Sequence, residues 1–152
     1  MYISEKSSIN MPFTFSCVRG TAKETALVDS GATENFMDER MVTRLGIGRR
    51  PMKQPCQVFN IDGSENKNGT ITHYCMLRVR KGDKEELQKF YITGLGGDRA
   101  ILGYPWLRVF NPGINWDEGR VLGPPVEIET ALLKWVKQRN TQEIVAAVSC
   151  LC

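Results

Sequence analysis

The chain has 152 residues, 41% apolar and 24% charged, with a net charge of +3. That supplies a core for one domain but too little clustered positive charge for direct nucleic-acid binding. No apolar run approaches the about 18 residues a membrane span needs. Cys17, Cys56 and Cys75 stand far apart, Cys150-x-Cys152 has no second pair, and with a single histidine metal sites are poorly supplied.

Residues 1–11 are polar and read as a flexible N-terminal segment. Residues 12–18 alternate apolar and small polar side chains, the pattern of a half-buried strand. Residues 19–24 predict a turn. Residues 25–28 predict a second strand, which runs straight into Asp29-Ser30-Gly31-Ala32-Thr33. A strand ending this way places a carboxylate at the edge of the apolar interior, where ionisation is costly without partners. Ser30 can donate and accept hydrogen bonds, and Gly31 lets a backbone or ligand approach closely. An ordinary Asx turn after a strand would use the same residues.

Residues 34–37 are ambiguous. Asp38 reads as the N-cap of a short helix, with Glu39 in its first turn, Met41, Val42 and Leu45 on one face, and Gly46 as its stop. Pro51 and Pro55 are expected to break the chain ahead of a strand over 57–61. The polar stretch 62–69, with glycine at both ends, then separates it from an alternating strand over 70–79. Together they predict a long hairpin whose polar tip projects from the core. His73 reads as a solvent-facing strand residue. A tight turn over 81–84 precedes a strand over 87–92.

Ala100-Ile101-Leu102-Gly103 repeats the apolar-to-glycine theme, a hint of an internal two-fold. Pro105 suits the first turn of a helix that packs Trp106, Leu107 and Phe110 inward, and Asn111-Pro112-Gly113 stops it. Residues 114–122 predict a small hairpin, and Gly123-Pro124-Pro125 is expected to end the compact part. Residues 129–137 and 143–148 have helical composition.

Asp29-Ser30-Gly31-Ala32, the glycine-bounded hairpin and Ala100-Ile101-Leu102-Gly103, in that order, resemble the retropepsins, the aspartic proteases of retroviruses and LTR retrotransposons. Ile101-Leu102-Gly103-Tyr104-Pro105-Trp106-Leu107 and Asn111-Pro112-Gly113-Ile114-Asn115-Trp116 are similar to the protease region of Gypsy-class retrotransposon polyproteins. The likeness covers residues 12–122. It implies an all-β fold, a small closed acid-protease barrel with one or two short helices, over a protease domain of residues 12–123. Residues 124–152 would be a linker or helical tail toward a following domain.

The resemblance also implies a homodimer in which each subunit gives one catalytic aspartate, Asp29. Ser30, Gly31 and Ala32 would form the active-site loop, with the Ser30 hydroxyl, in place of the commoner threonine, bonding across to the partner. Thr33 and Glu34 would border the substrate, Ile61, Asp62 and Gly63 would belong to the flap over it, and Ile101 would lie beneath the Asp loop. No cofactor is implied.

The chemistry agrees with the dimer. Peptide hydrolysis without a metal or covalent nucleophile needs a base and an acid, and two carboxylates sharing one proton serve as both. The chain has one Asp-Ser-Gly, half of such a site, so two-fold symmetry must supply the rest. The expected activity is therefore an aspartic endopeptidase acting on a peptide or polyprotein substrate. The thiols read as reduced and mostly buried, and no signal-like stretch follows Met1, so the cytoplasm is the expected compartment, with no membrane partner. The alternative is the same barrel as a catalytically silent dimerisation or peptide-binding module. A cellular homologue in a ubiquitin-shuttle protein fits residues 104–116 less well.

Overall fold

The computed structural model describes residues 2–3, 8–60, 65–96 and 99–130, with residues 2, 3, 59, 60 and 65–68 described by backbone alone. Strand β1 (Tyr2–Ile3) is followed by β2 (Ser8–Cys17) and β3 (Gly20–Asp29), a ten-residue antiparallel ladder. The ladder begins at Ser8, four residues before the expected start at Pro12, because Ile9 and Met11 bury on the same face as Phe13 and Phe15. Its turn is also tighter than expected. Val18 and Arg19 make it, and Gly20 takes the φ of +139° that closes it.

The ambiguous stretch forms β4 (Asn35–Asp38), which leads into α1 (Glu39–Arg44). Asp38 caps that helix, its Oδ2 accepting from the Arg40 N–H at 2.9 Å, while Oδ1 accepts from the Leu95 N–H at 2.7 Å. Met41 and Val42 are buried beneath it. Strands β5 (Arg50–Asn60) and β6 (Glu65–Lys81) make the expected long hairpin. Pro51 and Pro55 do not break β5, contrary to expectation. It is an outer strand, where a missing N–H is tolerated, and the register slips between Pro51 and Cys56.

A two-residue turn at Gly82 and Asp83 joins β6 to β7 (Lys84–Thr93). There follow β8 (Ala100–Leu102), α2 (Tyr104–Phe110), the small ladder of β9 (Ile114–Asn115) with β10 (Arg120–Val121), and β11 (Val126–Thr130). Trp106 and Phe110 are buried and stack at 5.7 Å, as the helical spacing demands.

Seven strands close into a barrel in the order β6-β11-β2-β3-β8-β4-β7, with β7 returning to β6. The fold is all-β with two short helices, as the resemblance implied. Its compact part does not end at Gly123-Pro124-Pro125. Strand β11 inserts between β2, in parallel, and β6, antiparallel, and buries Val126 and Ile128. The alternation of Val126-Glu127-Ile128-Glu129-Thr130 is that of a half-buried strand, so Glu129 and Thr130 are strand and not the start of a helix. The rest of the two expected helices lies outside the described residues.

The interior has two parts. A large cluster fills the barrel, with Phe13, Phe15, Leu77, Phe90, Trp106 and Ile128 among its members. A smaller one holds Leu27, Ala32, Phe36, Val58, Ile71 and Ile101 and reaches the β5–β6 hairpin. Strands β3 and β8 run parallel between the two, with Ala26 opposite Ala100, Leu27 opposite Ile101, and Val28 opposite Leu102. Both faces of this pair are covered, and for that reason both sequences are unbroken apolar runs.

Candidate active site

Strand β3 carries Asp29 one residue past its last pairing with β8, and β8 delivers Gly103 in the same way. The two apolar-to-glycine stretches therefore end side by side. On its other edge Asp29 stands opposite Ser8 of β2. The Asp29 side chain is wholly buried in a single chain, while the adjoining Ser30 is exposed.

The loop after Asp29 is held by its own backbone. The Gly31 N–H donates to Asp29 Oδ1 at 2.8 Å, and the Ala32 N–H donates to the Asp29 carbonyl at 3.2 Å. An amide pointed at a carboxylate oxygen fixes its rotamer. Ala32 is buried, and its carbonyl accepts from the Tyr104 N–H at 2.9 Å, so α2 grips the far end of the loop. Gly103 makes this grip possible. A β-carbon there would lie 2.2 Å from the Glu34 carbonyl oxygen and 2.7 Å from that of Ala32.

Thr33 is exposed and Glu34 half-buried, next along the loop. Burial raises the Glu34 carboxyl above its ordinary value of 4.5, partly offset by nearby positive charge that includes Lys89. Lys89 extends its ammonium over Tyr74, 4.7 Å from the ring centroid, and over Tyr91 at 5.7 Å. Ile101 is fully buried in the smaller cluster, against the loop and the hairpin. Ile61, Asp62 and Gly63, at the hairpin tip, lie outside the described residues.

Two buried polar side chains beside the loop escaped the sequence reading, Asn35 and Gln88. Asn35 Nδ2 donates to Gln88 Oε1 at 2.9 Å, and Asn35 Oδ1 accepts from the Gly103 N–H at 2.9 Å. They are far apart in the chain and meet only because β4 and β7 pair side by side.

His73 stands opposite Pro51 on the β5–β6 ladder with its Nδ1 2.8 Å from the Thr72 hydroxyl. No cluster of three metal-ligating side chains occurs among the described residues. Cys17, Cys56 and Cys75 are free thiols, and burial pushes Cys75 up to about 12. At neutral pH it is an inert core residue.

The PEG10/RTL1 protease domain family matches this chain over residues 25–127. The chain belongs to that family. The match runs from the strand that carries Asp29 into β11, and so takes in the Asp loop, the β5–β6 hairpin, the Gly103 turn and α2. PEG10/RTL1 protease domains are Gypsy-derived and retropepsin-like, which agrees with the barrel and with the family that the sequence resembled. Asp29, Gly31 and Gly103 all lie within the matched residues.

Proposed function

We propose that the chain is a homodimeric aspartic endopeptidase that cleaves the polyprotein containing it, each copy contributing Asp29. The observation that carries this reading is the setting of that carboxylate, which lies at the end of a buried strand and accepts the Gly31 N–H. An Asx turn alone would not need the glycine-dependent grip of Gly103 and Tyr104 on the same loop. Ser30 and Thr33, in the same loop as the buried acid, are exposed, as is Tyr104 at 58%, whose N–H bonds that loop, and they would offer a polar and aromatic face to a second copy.

In the dimer the two Asp29 carboxylates would share one proton. The ionised one takes a proton from water as it attacks the scissile carbonyl, and the protonated one gives its proton to the carbonyl oxygen. Their apparent pKa values belong to the pair, so activity should follow a bell-shaped, mildly acidic profile. The β5–β6 hairpin would close over an extended peptide and pair with its backbone as an added strand. The cytoplasm remains the proposed compartment, since free thiols suit it.

One observation favours a second reading. Asp29 is wholly buried in the single chain. The protease reading therefore requires the loop to open its carboxylate to water and to the second copy on dimerisation, whereas a module that keeps the fold for binding alone requires no such change. Purified chain incubated with an unstructured peptide across pH 4–7 separates the two. The protease reading expects cleavage, inhibition by pepstatin-type mimics, loss of essentially all activity in Asp29→Asn, and activity that falls faster than linearly on dilution. Peptide binding without cleavage at any pH would select the silent module.

A further inference from the structure

Asn35 and Gln88 form an amide chain whose orientation has only one solution. The Gly103 N–H can only donate, so Asn35 must present Oδ1 to it, at 2.9 Å. Asn35 Nδ2 then faces Gln88 Oε1, and Gln88 Nε2 is left to donate to Glu86 Oε2 at 2.9 Å and to the Pro105 carbonyl at 3.3 Å. One end of the chain holds the turn before α2 and the other end holds the first turn of α2 itself.

The same turn is what grips the Asp loop. Gly103 lies against the Ala32 and Glu34 carbonyls, Tyr104 donates to Ala32, and Ala32 donates to Asp29. A shift of Gly103 by a few tenths of an ångström would therefore move both ends of the loop. Buried amides left without partners would drive such a shift, because each orphaned group carries its full desolvation penalty, more than the net worth of the bond it lost.

We propose that Asn35, oriented by Gln88, is the positioning residue of the active-site loop. It touches no reacting atom; it fixes where Gly103 and Tyr104 hold Ala32, and through Ala32 where the Asp29 carboxylate points. The proposal rests on the catalytic reading of Asp29 only for its kinetic arm. Its other arm is structural and stands without that reading.

The test compares the parent with Asn35→Leu, which keeps the side chain's shape and removes its hydrogen bonds. Amide hydrogen exchange should quicken by roughly tenfold or more at Gly31, Ala32 and Tyr104, while Phe15 and Val79 in the barrel strands stay within about twofold of the parent. In the kinetic arm kcat, counted per folded site, should fall roughly tenfold with KM little changed. Should Asn35→Leu fail to fold, Gln88→Met carries the same test, since it frees the Asn35 amide but spares its bond to Gly103. A smaller loss confined to the same three amides is then expected. Unchanged exchange at Gly31, Ala32 and Tyr104, or an equal acceleration at every amide, would overturn the proposal. A parent that cleaves nothing, or an Asp29→Asn variant as active as the parent, defeats the catalytic reading and leaves the exchange result to decide this one.

Discussion

Glu34 carries a carboxyl that burial holds above its ordinary value of 4.5, two residues beyond the Ala32 that ends the Asp loop. Between 4.5 and the raised folded value, the folded chain keeps a proton that the unfolded chain has released. Stability therefore falls as pH rises through that window, and the full penalty is present at neutral pH. Glu34→Gln removes the ionisable group and keeps the shape. Thermal melts should show the variant more stable than the parent at pH 7, with the difference vanishing well below pH 4.5. A difference that stays constant with pH would mean that packing, not charge, sets the effect. Under the catalytic reading the same carboxyl borders bound peptide, so the destabilising charge has a reason to be there.

At the scale of elements, the decisive junction is the one between β8 and α2. Gly103 has an ordinary φ of −96°, so its need for glycine comes from contact and not from backbone conformation. Gly103→Ala places a methyl 2.2 Å from the Glu34 carbonyl oxygen, on backbone that cannot swing aside. Overpacking of this kind costs about 1–3 kcal/mol or more, and denaturant unfolding should register a loss near the top of that range. A loss below about 0.5 kcal/mol, the size of an ordinary surface substitution, would mean that the loop is not held as described.

Much of this junction was legible in the sequence. Ala26-Leu27-Val28 reads as a buried strand, Ala100-Ile101-Leu102 repeats its apolar-to-glycine theme, and Gly31 announces a close approach. That the two runs pair was set by tertiary structure. The partnership of Asn35 with Gln88 was not legible, because an amide in a strand carries no periodic signal and its partner is set by tertiary pairing. Strand β5 was misread for a related reason. A proline signals a break within a single strand, and only the sheet order reveals that the strand is an outer one. Strand β11 did carry a signal in Val126 and Ile128. The two preceding prolines and the helix-favouring composition after Glu129 masked it.

For the whole molecule, closure of the barrel depends on β11. It is the strand that joins β2 to β6, and Val126 and Ile128 are each buried. Burial of a side chain of that size is worth about 1.5–3 kcal/mol, so the two together approach the 5–15 kcal/mol that stabilises a typical domain. Ion pairing of Arg80 with Glu127 adds little at the exposed surface. A chain truncated after Pro125 should lose cooperative unfolding, seen by near-ultraviolet circular dichroism and denaturant titration. A truncated chain with an unchanged midpoint would show that β2 and β6 can close without it.

Outside that ring, β5 has an outer edge with no partner among the described residues before Phe59 and Asn60 meet β1. A continuous row of unpaired N–H groups would template edge-to-edge strand pairing into fibrils. Pro51 and Pro55 interrupt that row. Copies of this chain at high local concentration are thus steered away from amyloid-like growth, although their longest hairpin stands open.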